Sequence, residues 1–460
     1  MNALLKNLLL LGGMLAGANL AFSTDLKEDT LSPQIKLDRE SGLYKCGEKA
    51  VFTISLKGKL TSPETDKAKL KLTNDARDVF QEKELDLSKP ETVISGSMDK
   101  PGFLRCTVEY KFNGKAQARV DLCAGFDPEK IVPSMKKPAD FDKFWEDGFK
   151  ELANIPADYQ LKEIRKDKTA ETYTISAATL GGKRVYGFLS IPADKSKKYP
   201  VNFQIPSAGM GVNSPVFSKG ESIEVIVNVH DNPVGVSQNE FTENYKKMEA
   251  RSCCSEDKSK CLDGCKGSFY PWFGAENRNI YYFRAPILGI CRVLDYVAAL
   301  PEYDKKEFNM IGHSQGGGMV LLISGLKQDI VTSTFASVPG LCDHAGHEIG
   351  RETGWPWIIG AIKGDSKTDK EVAAKRKKLC DELCGYYDAC FFAERIRTPI
   401  AVVCGFTDYI CVPSSVYAAF NSIASDKKKI INAPHDGHAI SEVYANEAKE
   451  WLKSQKTGKQ

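Results

Sequence analysis

The chain has 460 residues, 42% of them hydrophobic, and 63 Lys and Arg against 60 Asp and Glu give a net charge of +3. That length exceeds one compact core and suggests two or three domains, while the hydrophobic share excludes a disordered chain. No long basic run supplies the clustered positive face that phosphate binding needs, so nucleic acid is not expected as a partner.

Met1–Asn7 carries one cation, Lys6, and is followed by apolar Leu8–Leu20 and then Ala21-Phe22-Ser23, with small residues at the −3 and −1 positions of a cleavage site. This pattern predicts a removable signal peptide over 1–23, and with it export to the periplasm or the extracellular space. The apolar run is too short to span a bilayer well, and no later stretch is long and apolar enough, so no stable membrane span is expected in the mature chain. Fourteen cysteines in an exported protein predict disulfides. Cys46, Cys106 and Cys123 lie early, Cys253, Cys254, Cys261 and Cys265 crowd one polar stretch, and Cys380, Cys384 and Cys390 crowd another. The spacing lacks paired CxxC motifs, so disulfides stapling an insertion are expected in preference to zinc. Cys291 and Cys404 lie in apolar segments and read as buried thiols.

Residues 24–125 read as β structure. Ala50–Leu56 and Leu104–Tyr110 alternate apolar and polar residues, and Val120-Asp121-Leu122 closes a third such run. Turn signals recur between them at Asn74-Asp75, Lys89-Pro90, Lys100-Pro101-Gly102 and Asn113-Gly114. Short strands at this spacing predict a small all-β, immunoglobulin-like sandwich, a structural accessory with nothing catalytic in it. From residue 126 the rhythm changes. After a Pro-containing linker and a helical pattern at Asp140–Leu152, strands are expected at Tyr173–Ala178, Arg184–Ile191, Val201–Ile205 and Val225–Val229. A helix at Arg284–Ala299, strand Phe308–Ile311, helix Gly317–Leu326 and strand Val331–Val338 follow. Strand Ile400–Cys404, helix Ser414–Ile423, strand Lys429–Ile431 and helix Glu442–Gln455 complete the pattern. Strands alternating with helices predict a mostly parallel sheet covered on both faces, an α/β architecture over 126–460. A Cys- and Lys-rich stretch at about 233–278 breaks the alternation and reads as an insertion over the site.

The chemistry is carried by Phe308-Asn309-Met310-Ile311 running into Gly312-His313-Ser314-Gln315-Gly316-Gly317-Gly318 and then into an apolar helix. This is GxSxG in the context that gives it meaning, strand then sharp turn then helix, as in the nucleophile elbow of the α/β-hydrolase fold. The turn lifts the Ser314 hydroxyl clear of the sheet and leaves the Gln315 amide free to meet a developing oxyanion. A serine needs an adjacent base near neutral pH. Of six histidines, His435 and His438 follow the later strands. His438 is preferred, because Gly437 frees the backbone to aim it, with His435 as competitor. Asp408, in the loop after strand Ile400–Cys404, is placed to orient that imidazole, whereas Asp436 reads as a turn former. The second oxyanion amide is assigned to Gly209, in the loop Pro206–Gly211. His344, His347 and Glu348 are weak as a metal group and read as a loop at the pocket rim. The aromatic residues Tyr270, Trp272, Phe273, Tyr281, Tyr282 and Phe283 read first as core.

Over roughly 126–455 the pattern resembles the acetyl xylan esterase and cephalosporin-C deacetylase group, carbohydrate esterase family seven. The residues that carry the resemblance are Pro138–Trp145, Tyr281–Arg284 leading to Arg292, Gly312–Gly317, Pro339–Asp343, Asp408–Ser414 and Gly437-His438. It implies an α/β-hydrolase fold, a triad of Ser314, Asp408 and His438, and oxyanion donors at Gln315 and Gly209. It further implies deacetylation of an O-acetylated saccharide through an acyl-enzyme, with no cofactor or metal. The chain departs from the family at His230-Asp231-Asn232, where the family has Arg-Gly-Gln, and at Ala439, where it has Glu. Two other readings share some of these features. A prolyl-oligopeptidase-type peptidase has the same elbow, although the residues ahead of it are too few for a propeller. A non-catalytic carbohydrate-binding protein would keep the fold without the activity.

Overall fold

The computed structural model describes residues 32–57, 66–111, 118–250 and 269–457. The expected signal peptide and the group Cys253, Cys254, Cys261 and Cys265 lie outside them. Among the described residues no helix is long and apolar enough to cross a membrane.

Up to Phe126 the described chain forms two sheets. One has three antiparallel strands, with Ala50–Lys57 between Ser32–Leu37 and Glu91–Gly96. The other runs Leu43–Tyr44, Ala118–Phe126, Gly102–Lys111, Lys67–Asn74, Asp78–Glu84. Alternation places Phe52 and Ile54 of the first sheet in one apolar cluster with Leu70, Leu72, Leu104, Val108 and Phe126 of the second. The same period of two sends Phe103 and Cys123 to the opposite face, where they join the large core of the α/β region. Gly102–Lys111 is therefore covered on both sides over much of its length, and Phe103 meets Phe406 edge-on with ring centroids 5.1 Å apart.

The α/β region is built on nine strands. In spatial order they are Lys428–Ala433, Ile400–Gly405, Ser333–Ser337, Tyr303–His313, Tyr199–Ile205, Ile223–Val227, Arg184–Pro192, Ala170–Ala178 and Gln160–Lys166. The first six pair in parallel and the last three add antiparallel. Strands Ile223–Val227, Ser333–Ser337 and Ile400–Gly405 are buried at every position, as expected of a parallel sheet with helices over both faces. The register brings the carboxyl ends together: Ile205 beside Gly312, His313 beside Ser337, and Gly405 beside Ala433. The loops leaving these strands share one edge, where ligands bind in such sheets.

Helix Arg284–Ala299 has the bounds read from sequence, while the helix expected from Gly317 already begins at Gln315. Among the elements not anticipated are one strand and two longer helices. Gln160–Lys166 is an edge strand exposed at every position, with no apolar alternation to reveal it. Helix Gln238–Ala250 occupies part of the stretch read as an insertion. Helix Lys370–Leu379 is followed by a wider π-type turn at Cys380–Cys384.

The expected disulfides do not form among the described residues, where all ten cysteines are free thiols. Cys106 and Cys123 sit on neighbouring strands, yet the register pairs Cys106 with Leu122 and Cys123 with Arg105, so they point to opposite faces. Cys384 and Cys390 are enclosed in the core, where burial pushes both thiols well above their usual range.

Candidate active site

Strand Tyr303–His313 ends in the GxSxG turn, and Ser314 takes φ 57° and ψ −122° between it and helix Gln315–Leu326. A non-glycine residue in that region is strained by about 1–3 kcal/mol, and surrounding bonds must hold it there. They do: the Ser314 amide donates to Ser337 O at 2.9 Å, and its carbonyl accepts from Gly318 at 3.0 Å and Gly340 at 2.9 Å. The glycines answer to close backbone approach. A Cβ on Gly312 would lie 2.1 Å from Gly316 O, and one on Gly316 would lie 2.0 Å from Ile205 O.

The Ser314 hydroxyl lies 2.8 Å from His438 Nε2, and His438 Nδ1 lies 2.8 Å from Asp408 Oδ2. The other Asp408 oxygen accepts from the amides of Ile410 at 2.7 Å and Cys411 at 3.0 Å. With both oxygens engaged, the carboxylate is fixed in rotation. His438 is reached from the last strand through a turn braced by Asp436, which accepts from the Ser441 amide and hydroxyl. Asp436 is thus the turn former expected, and His435 stands exposed. The structure brings Ser314, Asp408 and His438 together from three separate loops.

Gln315 opens the helix, where an amide has no partner within the helix itself. Its side-chain oxygen accepts from the Tyr270 hydroxyl at 2.6 Å, and its side-chain amide nitrogen is buried without a partner. The Gly209 amide lies against the same Tyr270 hydroxyl, and Gly209 has φ +117°, a conformation that side chains rarely adopt. Its carbonyl is held 2.5 Å from His230 Nε2, while His230 Nδ1 is 2.5 Å from the Tyr282 hydroxyl. A carbonyl can only accept, so the proton sits on Nε2 and Tyr282 donates to Nδ1. Burial holds His230 down at about 4, so it stays a neutral imidazole. The residue that departs from the family motif therefore locks the Gly209 loop to the tyrosines behind it.

Sequence reasoning missed four neighbours of the site. Cys411 is buried beside Ser314, its thiol raised well above the ordinary range by burial and then by Asp408. His313 packs on His438 with ring centroids 5.3 Å apart. Tyr270 and His230 make up the Gly209 support. Cys411 stood inside the quoted Asp408–Ser414 motif, but a thiol there gives no signal of its role until the fold closes. Tyr270, Tyr281, Tyr282 and Phe283 are buried, in keeping with a core reading. His347 is taken up by Glu352, and Glu348 lies beside Arg376. Among the described residues, three potential metal-ligand side chains converge only at Asp408, Cys411 and His438, within 4.8 Å. A surface cavity of about 440 Å³, lined by Lys183, Arg184, Asp231, Lys247 and Tyr282 among others, contains no member of the Ser314–His438–Asp408 relay.

Residues 129–215 and 244–455 match the acetyl xylan esterase (AXE1) family model. This chain belongs to the acetyl xylan esterase family. It is accordingly a carboxylic ester hydrolase. The matched ranges divide the stretch set apart as an insertion, leaving out 216–243 and taking in the residues from 244 onward. The chain is 28% identical over 423 residues to acetyl esterase Axe7A of Xylanibacter ruminicola, covering 90% of this chain and 88% of that one. Among solved structures it is similar to acetyl xylan esterase 1 of a Thermoanaerobacterium species, with TM-score 0.54, 21% identity, and 71% of this chain against 97% of that one. It is also similar to an acetyl xylan esterase of a Paenibacillus species, with TM-score 0.57, 20% identity, and 71% against 98%. At such identities the two structures establish the shared α/β-hydrolase fold.

Proposed function

We propose that this acetyl xylan esterase family member removes acetyl groups from O-acetylated carbohydrates through a Ser314–His438–Asp408 triad. One geometry carries the reading: an unbroken relay, 2.8 Å from Ser314 Oγ to His438 Nε2 and 2.8 Å from His438 Nδ1 to Asp408 Oδ2. His438 Nε2 accepts the Ser314 proton as Oγ bonds to the acetyl carbonyl carbon, and the carbonyl electrons move onto its oxygen. The Gln315 amide, with Gly209 as the second donor, receives that oxyanion. Collapse breaks the ester C–O bond, and the sugar alkoxide leaves with the proton from His438. Water then repeats the sequence on the acetyl-enzyme, giving acetate and free Ser314. Asp408 holds the imidazole tautomer and balances its transient charge. Support for acetyl and saccharide as the two halves of the substrate comes from the family and from a relative that carries an acetyl esterase name. Export, expected from the apolar N-terminus, would bring such an enzyme to polymeric substrate outside the cytoplasm.

The test is hydrolysis of 4-nitrophenyl acetate against longer acyl esters, for wild type and Ser314→Ala. Acetate-selective turnover that falls by at least about 10³-fold in the variant is expected. Equal rates in the two proteins would remove Ser314 from the chemistry.

A further inference from the structure

The loop that carries Asp408 is held from outside the α/β region. Arg105, fully buried on strand Gly102–Lys111, donates from Nη1 to Thr407 O at 3.1 Å and from Nη2 to Asp408 O at 2.7 Å. The same Nη2 lies 3.0 Å from Asp75 Oδ1. Asp75 Oδ2 accepts from the Ser414 amide at 3.0 Å and the Ser414 hydroxyl at 2.5 Å, at the first turn of helix Pro413–Ser422. The pair thus grips both ends of the loop, carbonyls on the Asp408 side and an orphan helix amide on the other. Tyr409, between them, donates to Asp121 at 2.8 Å and lies under the Arg119 guanidinium at 3.2 Å. Asp75 and Ala76 both have positive φ, 40° and 73°, so the turn that presents the carboxylate is itself held in a costly conformation.

An interface alone does not call for this arrangement. Phe103 against Phe406 already supplies apolar contact, and a buried ion pair is no more stabilising than apolar side chains of the same volume. What the pair adds is direction: a planar fork that fixes two successive carbonyls at the triad acid. Both residues lie ahead of the ranges that match the family model. We propose that Asp75 and Arg105 are positioning residues for Asp408, making the N-terminal sheet a working part of the esterase site. The proposal rests on Asp408 being the triad acid.

The test uses the full chain with Arg105→Lys, Asp75→Asn and the double variant Asp75→Asn/Arg105→Met. Sites are counted by fluorophosphonate titration, and kcat and KM for 4-nitrophenyl acetate are measured separately. In the double variant, which leaves neither charge buried alone, kcat per titrated site should fall roughly 10–100-fold with KM within about twofold. Arg105→Lys should fall between, since an ammonium restores charge without the fork. Unchanged kcat per titrated site in every variant that folds, whatever its melting temperature, overturns the proposal. Asp75→Asn keeps an acceptor for Ser414 and carries the same comparison if the double variant fails to fold. Ser314→Ala, run alongside, separates the two readings: its loss of activity beside a fully active double variant rejects the clamp alone, whereas its retention of activity rejects the triad.

Discussion

His230 shows how one side chain couples site geometry to solution conditions. Folding lowers its titration from 6.5 to about 4 by burying it between Gly209 and Tyr282. Below pH 6.5 the unfolded chain binds a proton that the folded chain refuses, so stability falls as pH falls. The contribution is fully present above 6.5 and is lost down to about 4, amounting to about 3 kcal/mol across that window. Urea midpoints from pH 7.5 to 4.5 should therefore decline more steeply for wild type than for His230→Asn, which has nothing to titrate there. Parallel slopes would show that the imidazole is not excluded from its proton. His230 also marks where residue-level reading stops. The convergence of Ser314, Asp408 and His438 was legible because strand order and the turn motif fix where each must stand. His230, Cys411 and Arg105 gain their roles from neighbours far away in sequence, and periodicity carries no such information.

At the scale of elements, the turn at Ser314 is a crossing of backbones more than a loop. Gly316 approaches the end of the neighbouring strand so closely that a methyl group would overlap Ile205 O. Gly316→Ala should therefore separate strand Tyr199–Ile205 from the helix after Ser314, costing at least about 3 kcal/mol, the upper end for overpacking. Thermal midpoint and fluorophosphonate labelling should fall together; a normal midpoint with normal labelling would mean the turn has slack. The parallel strands and helix Arg284–Ala299 were readable because each is a long apolar run with turn residues at its ends. Gln160–Lys166 was not, because an exposed edge strand is held by backbone pairing with its neighbour and needs no apolar face. The free thiols have a related cause. Sequence gives the spacing of cysteines, but the face each occupies depends on strand register, and Cys106 and Cys123 fall on opposite faces of one sheet.

For the molecule as a whole, the N-terminal sheets read as an accessory in sequence, yet they share core and charge with the α/β region. Phe103 and Cys123 belong to the same apolar cluster as the large sheet, and the Asn421 side-chain amide ties the linker carbonyls of Pro128 and Ile131. Separate unfolding would strip buried Arg105 of the Thr407 and Asp408 carbonyls and Asp75 of the Ser414 amide and hydroxyl, hydrogen bonds to charged groups worth about 1.5–3 kcal/mol each. One cooperative transition is therefore expected, with calorimetric and van 't Hoff enthalpies equal; two resolved transitions would contradict it. This coupling escaped the sequence because alternation tells which residues of a strand share a face and cannot say what covers that face.

The order of the assembled residues along the chain has a consequence for biosynthesis. Arg105 leaves the ribosome long before Ser314, Ser314 before Asp408, and Asp408 before His438. A growing chain can thus build its N-terminal sheets and most of the large sheet while Ser314 still lacks His438, the base of the proposed triad. Ester cleavage through the proposed triad would switch on only once His438 has emerged, so a ribosome that stops before it yields a protein that folds in part and carries no complete triad.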